Sequence, residues 1–562
     1  MNTIKTAIAL LLSVIMFVLN GIGSLLPGVI PEAKSASELE ELADIFDEYP
    51  LAEEIVVVRS PKLTKDERAA VICLQGLVGR TEASIFINYG YDSKTELRDL
   101  ENAGCKLLYT DAGGNEWSLK NLIPRYASHI KDNGYVLFTD SNTHAQINMA
   151  FNLATVYGWL AVPQSAEGIV KALGMEKRED LTDDELDFNY QRDFYNKHKD
   201  EFRKDALVHL YSYASGLRDL AVQQRIFITY VEDDDYIGRT FRDQILNDLE
   251  PASVVLGWCK YEVKFTESVS SFGHYVIPSD HSFNASILTC NQIETGSLGR
   301  ESETVELDPE KHYVAIVYSD GDNAQWISNG YKEFYTWQSY DIDKPITWTF
   351  APQMSEFSPT AVNKALDNLG EDSFITGPSG AGYARISKMA AKELEAYSDL
   401  TAAAMLKTGM TTMTLLDTKP NLLTNSLFAN KLKYFARYDN IHGGIIQMDP
   451  DRYSSGEGRV YFVNDKPFVS VRLSLWHPSG SAEEVTQEWL REQAEIVNGY
   501  PADIGSINGY TVINVHPWTV GPDDLAYFIS QLDDGVEVIS ADDMIAALTA
   551  NLPHKYATPE KG

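Results

Sequence analysis

Short apolar runs, separated by amphipathic stretches, recur along the second half of the chain at regular spacing. Residues 313–318, 346–350, 374–376, 411–416, 443–448, 468–475 and 510–515 read as strands, with Val536–Ile539 as a further one. Runs that are apolar throughout, without alternation, mark strands covered on both faces. The stretches between them carry helix boundaries. Ser358 precedes Pro359 as a cap before a first-turn proline, and Ser481-Ala482-Glu483-Glu484 has the form of a capping box. Gly370 and Gly499 stand where helices would stop. Strand–helix alternation of this kind predicts a (β/α) barrel, TIM-like, over residues 301–562.

The first half carries a different rhythm. A strand–helix–strand unit recurs three times. The first runs from strand 55–58 through a helix opened by Thr64-Lys65-Asp66-Glu67 to strand 84–87. The second begins with strand 135–138, turns over 139–142 and enters a helix ending near Gly158. The third comprises strand 225–229, an acidic turn over 232–235, a helix to Leu249 and strand 254–256. Strand–helix–strand order implies parallel pairing. Residues 171–217 are charged and read as a largely helical insertion. The expected fold is α/β: an N-terminal domain of three divergent β-α-β repeats over residues 37–300, then the barrel.

Lys5, the apolar stretch 7–19 and the small residues of Ala33-Lys34-Ser35-Ala36 resemble a secretory signal peptide spanning residues 1–36. The mature protein is therefore expected to be secreted or at the cell surface. No later segment is apolar enough for long enough to span a bilayer, so no membrane association is expected after cleavage. A net charge of −34 argues against nucleic acid and anionic membrane surfaces as partners. The four cysteines, Cys73, Cys105, Cys259 and Cys290, form no CxxC pair and sit in apolar surroundings. Buried packing is the expectation, with one bridge open to an exported protein.

Polar side chains follow the apolar runs of the second half. Asp320 and Asp322 follow the first, Gln353 the second, Ser379 and Tyr383 the third, and Asp417 the fourth. Asp449 follows the fifth, His477 the sixth and His516 the seventh. Barrel enzymes build their sites from these C-terminal loops. Asp320-Gly321-Asp322-Asn323 is the densest case, because carboxylates at i and i+2 of an extended chain project to one side. Such a pair suits acid–base work or metal holding; equally, Asx residues after a strand build turns. Aromatics make up 11% of the chain, including 30 Tyr and 9 Trp. Flat rings suit sugar faces, and Trp326, Trp348, Tyr383, Trp476 and Trp518 lie near the expected rim. Asp280 and Asn284, just before the barrel, are placed to line a cleft from the N-terminal side or to cap a helix.

Gly380-Ala381-Gly382-Tyr383 matches the start of the motif that names the GxGYxYP family, proposed glycoside hydrolases of bacterial polysaccharide metabolism. Leu74-Gln75-Gly76-Leu77-Val78-Gly79-Arg80, Gly257-Trp258, Ser319-Asp320-Gly321-Asp322-Asn323 and His516-Pro517-Trp518 also resemble that family. Arg385 and Ile386 stand where the motif has its second Tyr and its Pro. The resemblance implies three divergent N-terminal repeats and a seven-stranded barrel with a cleft between them. It also implies a catalytic set of one Glu and two Asp. The two Asp match Asp320 and Asp322; Glu262 is the best match for the Glu, with Glu267 as competitor. On that reading Glu262 is the general acid, and one Asp activates water or acts as nucleophile. Asn323, Tyr383, Ser379, Gln353, Asp417, Asp449, His477, His516, Trp518, Asp280 and Asn284 would contact a carbohydrate substrate. No cofactor or metal is expected.

Two rivals remain. A metal-dependent polysaccharide deacetylase would use His477 and His516 with Asp322, although no two histidines have the spacing of an HxxxH-like pair. A non-catalytic carbohydrate-binding protein would keep the cleft without turnover.

Overall fold

The computed structural model describes residues 30–560, except 43, 64, 91–92, 140–143, 183–185, 215, 292, 301–305, 321–322, 325–326 and 328–341. The apolar stretch 7–19, Asp322 and Trp326 lie outside the described residues. The chain is a mixed α/β protein built on parallel sheets. The first joins β1 (Leu51–Arg59), β2 (Ala83–Asn88) and β3 (Lys106–Leu108) in the order β2-β1-β3. The second joins β4 (Gly134–Phe138), β5 (Leu160–Pro163) and β6 (Glu176–Asp180) in the order β5-β4-β6. The third joins β7 (Ala206–His209), β8 (Phe227–Thr229), β9 (Val254–Gly257) and β10 (Tyr275–Ile277) in the order β10-β9-β7-β8.

Two of these strands correct the expectation for residues 171–217. Helix Phe188–His198 is there, but β6 and β7 flank it. β7 is a fully buried run only four residues long, overshadowed by its charged neighbours in sequence. β6 is exposed along its length and is held by backbone pairing to β4 rather than by burial.

The second half contains β11 (His312–Tyr318), β12 (Thr347–Phe350), β13 (Ser373–Thr376), β14 (Thr412–Thr418) and β15 (Gly443–Asp449). It continues with β16 (Val460–Val463), β17 (Lys466–Ser470), β18 (Leu473–Leu475), β19 (Tyr510–Val515) and β20 (Val536–Ile539). One sheet runs β13-β12-β11-β19-β18, with β20 pairing the first residues of β11; the other runs β14-β15-β17-β16. The run 468–475 is shared between them: β17 pairs with β15, and two residues later β18 pairs with β19. Between β13 and β14, Thr414 Oγ1 donates to the Thr376 carbonyl at 2.6 Å. The antiparallel hairpin β16–β17 was not expected. It turns at Asn464-Asp465, both with positive φ, as a tight two-residue turn requires.

The expected capping box at Ser481 is a single 3-10 turn without a side-chain cap. The helix starts later, at Gln487–Asn498, where Thr486 accepts from the Trp489 amide. All four cysteines are buried free thiols. Among the described residues no helix is long and apolar enough to cross a membrane.

The loop after β13 ties the two halves together. Tyr383 forms an antiparallel bridge with Val276 on β10, with N–H···O distances of 2.9 and 2.8 Å. Both glycines before it are needed. Gly380 has φ +94°, and a Cβ on Gly382 would lie 2.5 Å from the Tyr275 ring. The Tyr397 hydroxyl is 2.7 Å from the carbonyls of both Ser379 and Gly382, and fastens the loop.

Candidate active site

A cavity of about 330 Å³ lies where this loop meets the helix Glu262–Ser271. Glu262 is the first residue of that helix, so its carboxylate sits at the positive end of the helix dipole. The Tyr383 hydroxyl donates to Glu262 Oε1 at 2.7 Å. Asp320 lines the cavity too, from the end of β11, in a left-handed conformation with φ +78°. Its Oδ2 accepts from the Trp518 indole at 2.8 Å.

The two carboxyls differ in what surrounds them. Desolvation, with the charge of Glu262 adding to it, raises the Asp320 carboxyl to about 6, against the Trp518 hydrogen bond. Glu262 instead has a phenolic donor and a helix end. Beside them the His516 ring stacks on Trp476, with centroids 3.7 Å apart and planes 13° apart. Burial lowers His516 to about 4, so the imidazole is neutral at physiological pH. Trp258 faces Tyr383 at 6.1 Å. The cavity thus combines two carboxyls in different surroundings with aromatic walls. That set can protonate a leaving group and either activate water or attack a sugar carbon directly.

The structure brings Asp320, Glu262, Asn323, Tyr383, His516 and Trp518 together in this cavity. It places the other expected residues elsewhere. Glu267 pairs with Lys388 at 3.0 Å, away from Glu262. Asp417 is fully buried and accepts from the Ser387 amide and hydroxyl. Asp449 pairs with Arg385 at 2.7 Å. The Ser379 hydroxyl is engaged between the Ala384 carbonyl of its own loop and the Leu416 amide on β14. Gln353 is buried beside a short helix, outside the cavity lining. His477 bonds Ser479 and packs edge-on against Trp489. Asp280 contacts His281 at 3.5 Å. Asn284 precedes the short helix Ala285–Leu288 without a side-chain cap bond; its amide instead pairs with the backbone of Ile87 on β2 and accepts from Gln75 Nε2. Trp348 is a core residue stacked on Tyr318 and bonded to Asp372. Among the described residues no three His, Cys, Asp or Glu side chains gather as a metal site.

Sequence reasoning did not single out Trp258, Gln447 or Tyr453 as site residues, yet all three line the cavity. Gln447 had a signal. It is the polar residue within the buried run of β15, and its amide donates to Asn514 on β19 at 2.7 Å. A polar residue inside a buried strand must have a partner or a function. Tyr453 lies in a loop of positive-φ residues and had none.

The family model described as "GxGYxYP putative glycoside hydrolase C-terminal domain" matches residues 310–548, and that of the "GxGYxYP third domain" matches residues 205–290. The chain belongs to the GxGYxYP family. A crystal structure described as a "putative hydrolase" from Bacteroides thetaiotaomicron VPI-5482 superposes with a TM-score of 0.78. It is 24% identical, and the match covers 91% of this chain and 98% of that one. At that identity the likeness speaks to fold. A search of curated proteins returns no match.

Within the GxGYxYP motif this chain departs at Arg385-Ile386. Arg385 is 1% exposed. Its amide donates to Ser270 Oγ at 2.9 Å and its Nε lies 3.4 Å from Thr266 Oγ1, both on the helix that begins with Glu262. The replacement therefore places a buried cation between that helix and Asp449.

Proposed function

We propose that this protein is an exported glycoside hydrolase that cleaves a polysaccharide or oligosaccharide in the cavity between its two halves. The observation that carries the reading is the pairing of Glu262 and Asp320 in one aromatic-walled cavity, with different donors around each. Family membership supports the reaction class. Glycoside cleavage needs one carboxyl protonated and one ionised. The raised proton affinity of Asp320 favours it as the general acid, with Glu262 as base or nucleophile. That exchanges the roles first expected from sequence.

On this reading residues 37–300 form the three-repeat domain and 301–562 a seven-stranded (β/α) barrel. The neighbour order β13-β12-β11-β19-β18 and β14-β15-β17, with Thr414 bonded to Thr376 and one run shared by β17 and β18, supports closure of that ring. Asp322 remains a candidate third carboxylate.

The test is release of new reducing ends from a polysaccharide panel by the purified mature chain, with Asp320→Asn and Glu262→Gln in parallel. Turnover abolished in both variants supports hydrolysis by this pair. Glycan binding without turnover, equal in wild type and variants, would replace it with a carbohydrate-binding protein. Acetate release dependent on added metal would replace it with a deacetylase.

A further inference from the structure

The buried cation that replaces the motif tyrosine reaches the carboxyl pair through one intervening group. Arg385 Nη2 is 2.7 Å from Asp449 Oδ2 and 3.5 Å from the Tyr383 hydroxyl. Tyr383 in turn is 2.7 Å from Glu262 Oε1. A guanidinium carries donors only. The Tyr383 oxygen can therefore only accept from Arg385, and its single proton is directed to Glu262. The residue the motif would place here, a second tyrosine, could donate or accept and would bring no charge.

We propose that Arg385 is a positioning residue: with Asp449 as counter-ion it orients the Tyr383 hydroxyl onto Glu262, so that of the two carboxyls Glu262 is the one that accepts the phenolic hydrogen bond. The inference rests on the reading of Glu262 and Asp320 as the reacting groups. The arrangement around the relay agrees in sign. Asp417 and Asp449 both favour the charged guanidinium. Burial above all, with the charge of Glu262 adding to it, opposes ionisation of Tyr383, so its hydroxyl keeps the proton it donates. On the Glu262 helix, Lys264 lies over the Tyr261 ring, while Glu267 pairs with Lys388 on the loop packed against it. His516, in the same cavity, is neutral and adds no charge.

The test needs no substrate. Carbon-13 NMR of labelled Asp and Glu carboxyls, assigned with Asp320→Asn and Glu262→Gln, follows which group takes up the proton near pH 6. In wild type and in Arg385→Lys, which keeps a charged donor without an acceptor, that step should follow the Asp320 resonance. In Arg385→Gln, whose carbonyl can accept from Tyr383, the step should divide between the Asp320 and Glu262 resonances, as for a pair of near-equal sites. A folded Arg385→Gln that titrates as wild type does overturns the proposal. If that variant does not fold, Tyr383→Phe decides it: a divided step upholds the relay, and a step confined to Asp320 overturns it. Absence of hydrolysis with the relay intact would count against the hydrolase reading alone.

Discussion

Asp320 and Asp417 stand at corresponding places, each at the end of a buried strand of the second half, and the structure treats them in opposite ways. Asp417 is fully buried and bonded to the amide and hydroxyl of Ser387 and the amide of Thr418. The two Ser387 contacts serve the loop that follows the GxGY turn. Among the described residues, the Asp320 side chain accepts from one indole and otherwise faces the cavity and Glu262. Burial raises the proton affinity of both carboxyls. Yet one has donors enough to be scaffold, and the other has a neighbouring carboxyl. On the proposed reading, the contrast is that a strand-end acid is left to react by having few donors around it. Three hydrogen bonds on the buried Asp417 leave little of that carboxylate to offer a substrate.

The largest effects should separate the two directly. Asp320→Asn and Glu262→Gln should each lower kcat/KM by about 10²–10⁴-fold, the usual contribution of a positioned acid or base. Asp417→Ala should leave the catalytic constants of the folded protein within a few-fold of wild type. It should instead destabilise the chain by roughly 1–3 kcal/mol, because the Ser387 donors lose their acceptor. Urea midpoints and initial rates on the same samples check both halves. An Asp417→Ala variant as inactive as Asp320→Asn, at full stability, would erase the distinction.

A pH series sharpens the comparison. With its folded value raised to about 6 from an ordinary 3.8, Asp320 is protonated below that point, so kcat/KM should fall as pH rises through about 6. The linkage has the same sign. The protonated carboxyl favours the folded state fully below pH about 4, and that contribution is lost as pH rises through 6. Asp320→Asn, which cannot ionise, should therefore be more stable than wild type at pH 7 by roughly 1–2 kcal/mol, allowing for screening on its open side. The gain should vanish near pH 4. Asp372 and Asp542 are also raised to about 6, so the difference between variant and wild type is the quantity to measure.

These particulars also show what was legible beforehand. The long buried strands of the second half were, because continuous apolarity leaves few alternatives, and Val536–Ile539 was read to the residue; β6, β7 and β16 were not. The loop glycines were legible as a motif, although not their reason, which is the approach of Gly382 to the Tyr275 ring across the two halves. The division of the strand-end acids was not legible. Asp320, Asp417 and Asp449 look alike in sequence, and only the partners brought by distant loops, Trp518, Ser387 and Arg385, tell them apart. Glu262 and Glu267 posed the same problem within one helix, and Lys388, more than a hundred residues away, separates them in space.

The smallest expected effect concerns the Trp518 indole on Asp320. Trp518→Phe keeps a ring for a sugar face but removes the donor to Oδ2. That hydrogen bond favours the ionised form, so without it the carboxyl holds its proton to higher pH. The alkaline limb of kcat/KM should move up by a few tenths of a pH unit to about one, with the plateau at low pH nearly unchanged. Tyr383→Phe, at the other carboxyl, should depress the plateau itself, because it removes the donor that fixes the Glu262 carboxylate. A Trp518→Phe profile that lowers the plateau without moving the limb would mean that the indole acts on the substrate and not on Asp320. The two carboxyls would then differ less in their donors than the comparison requires.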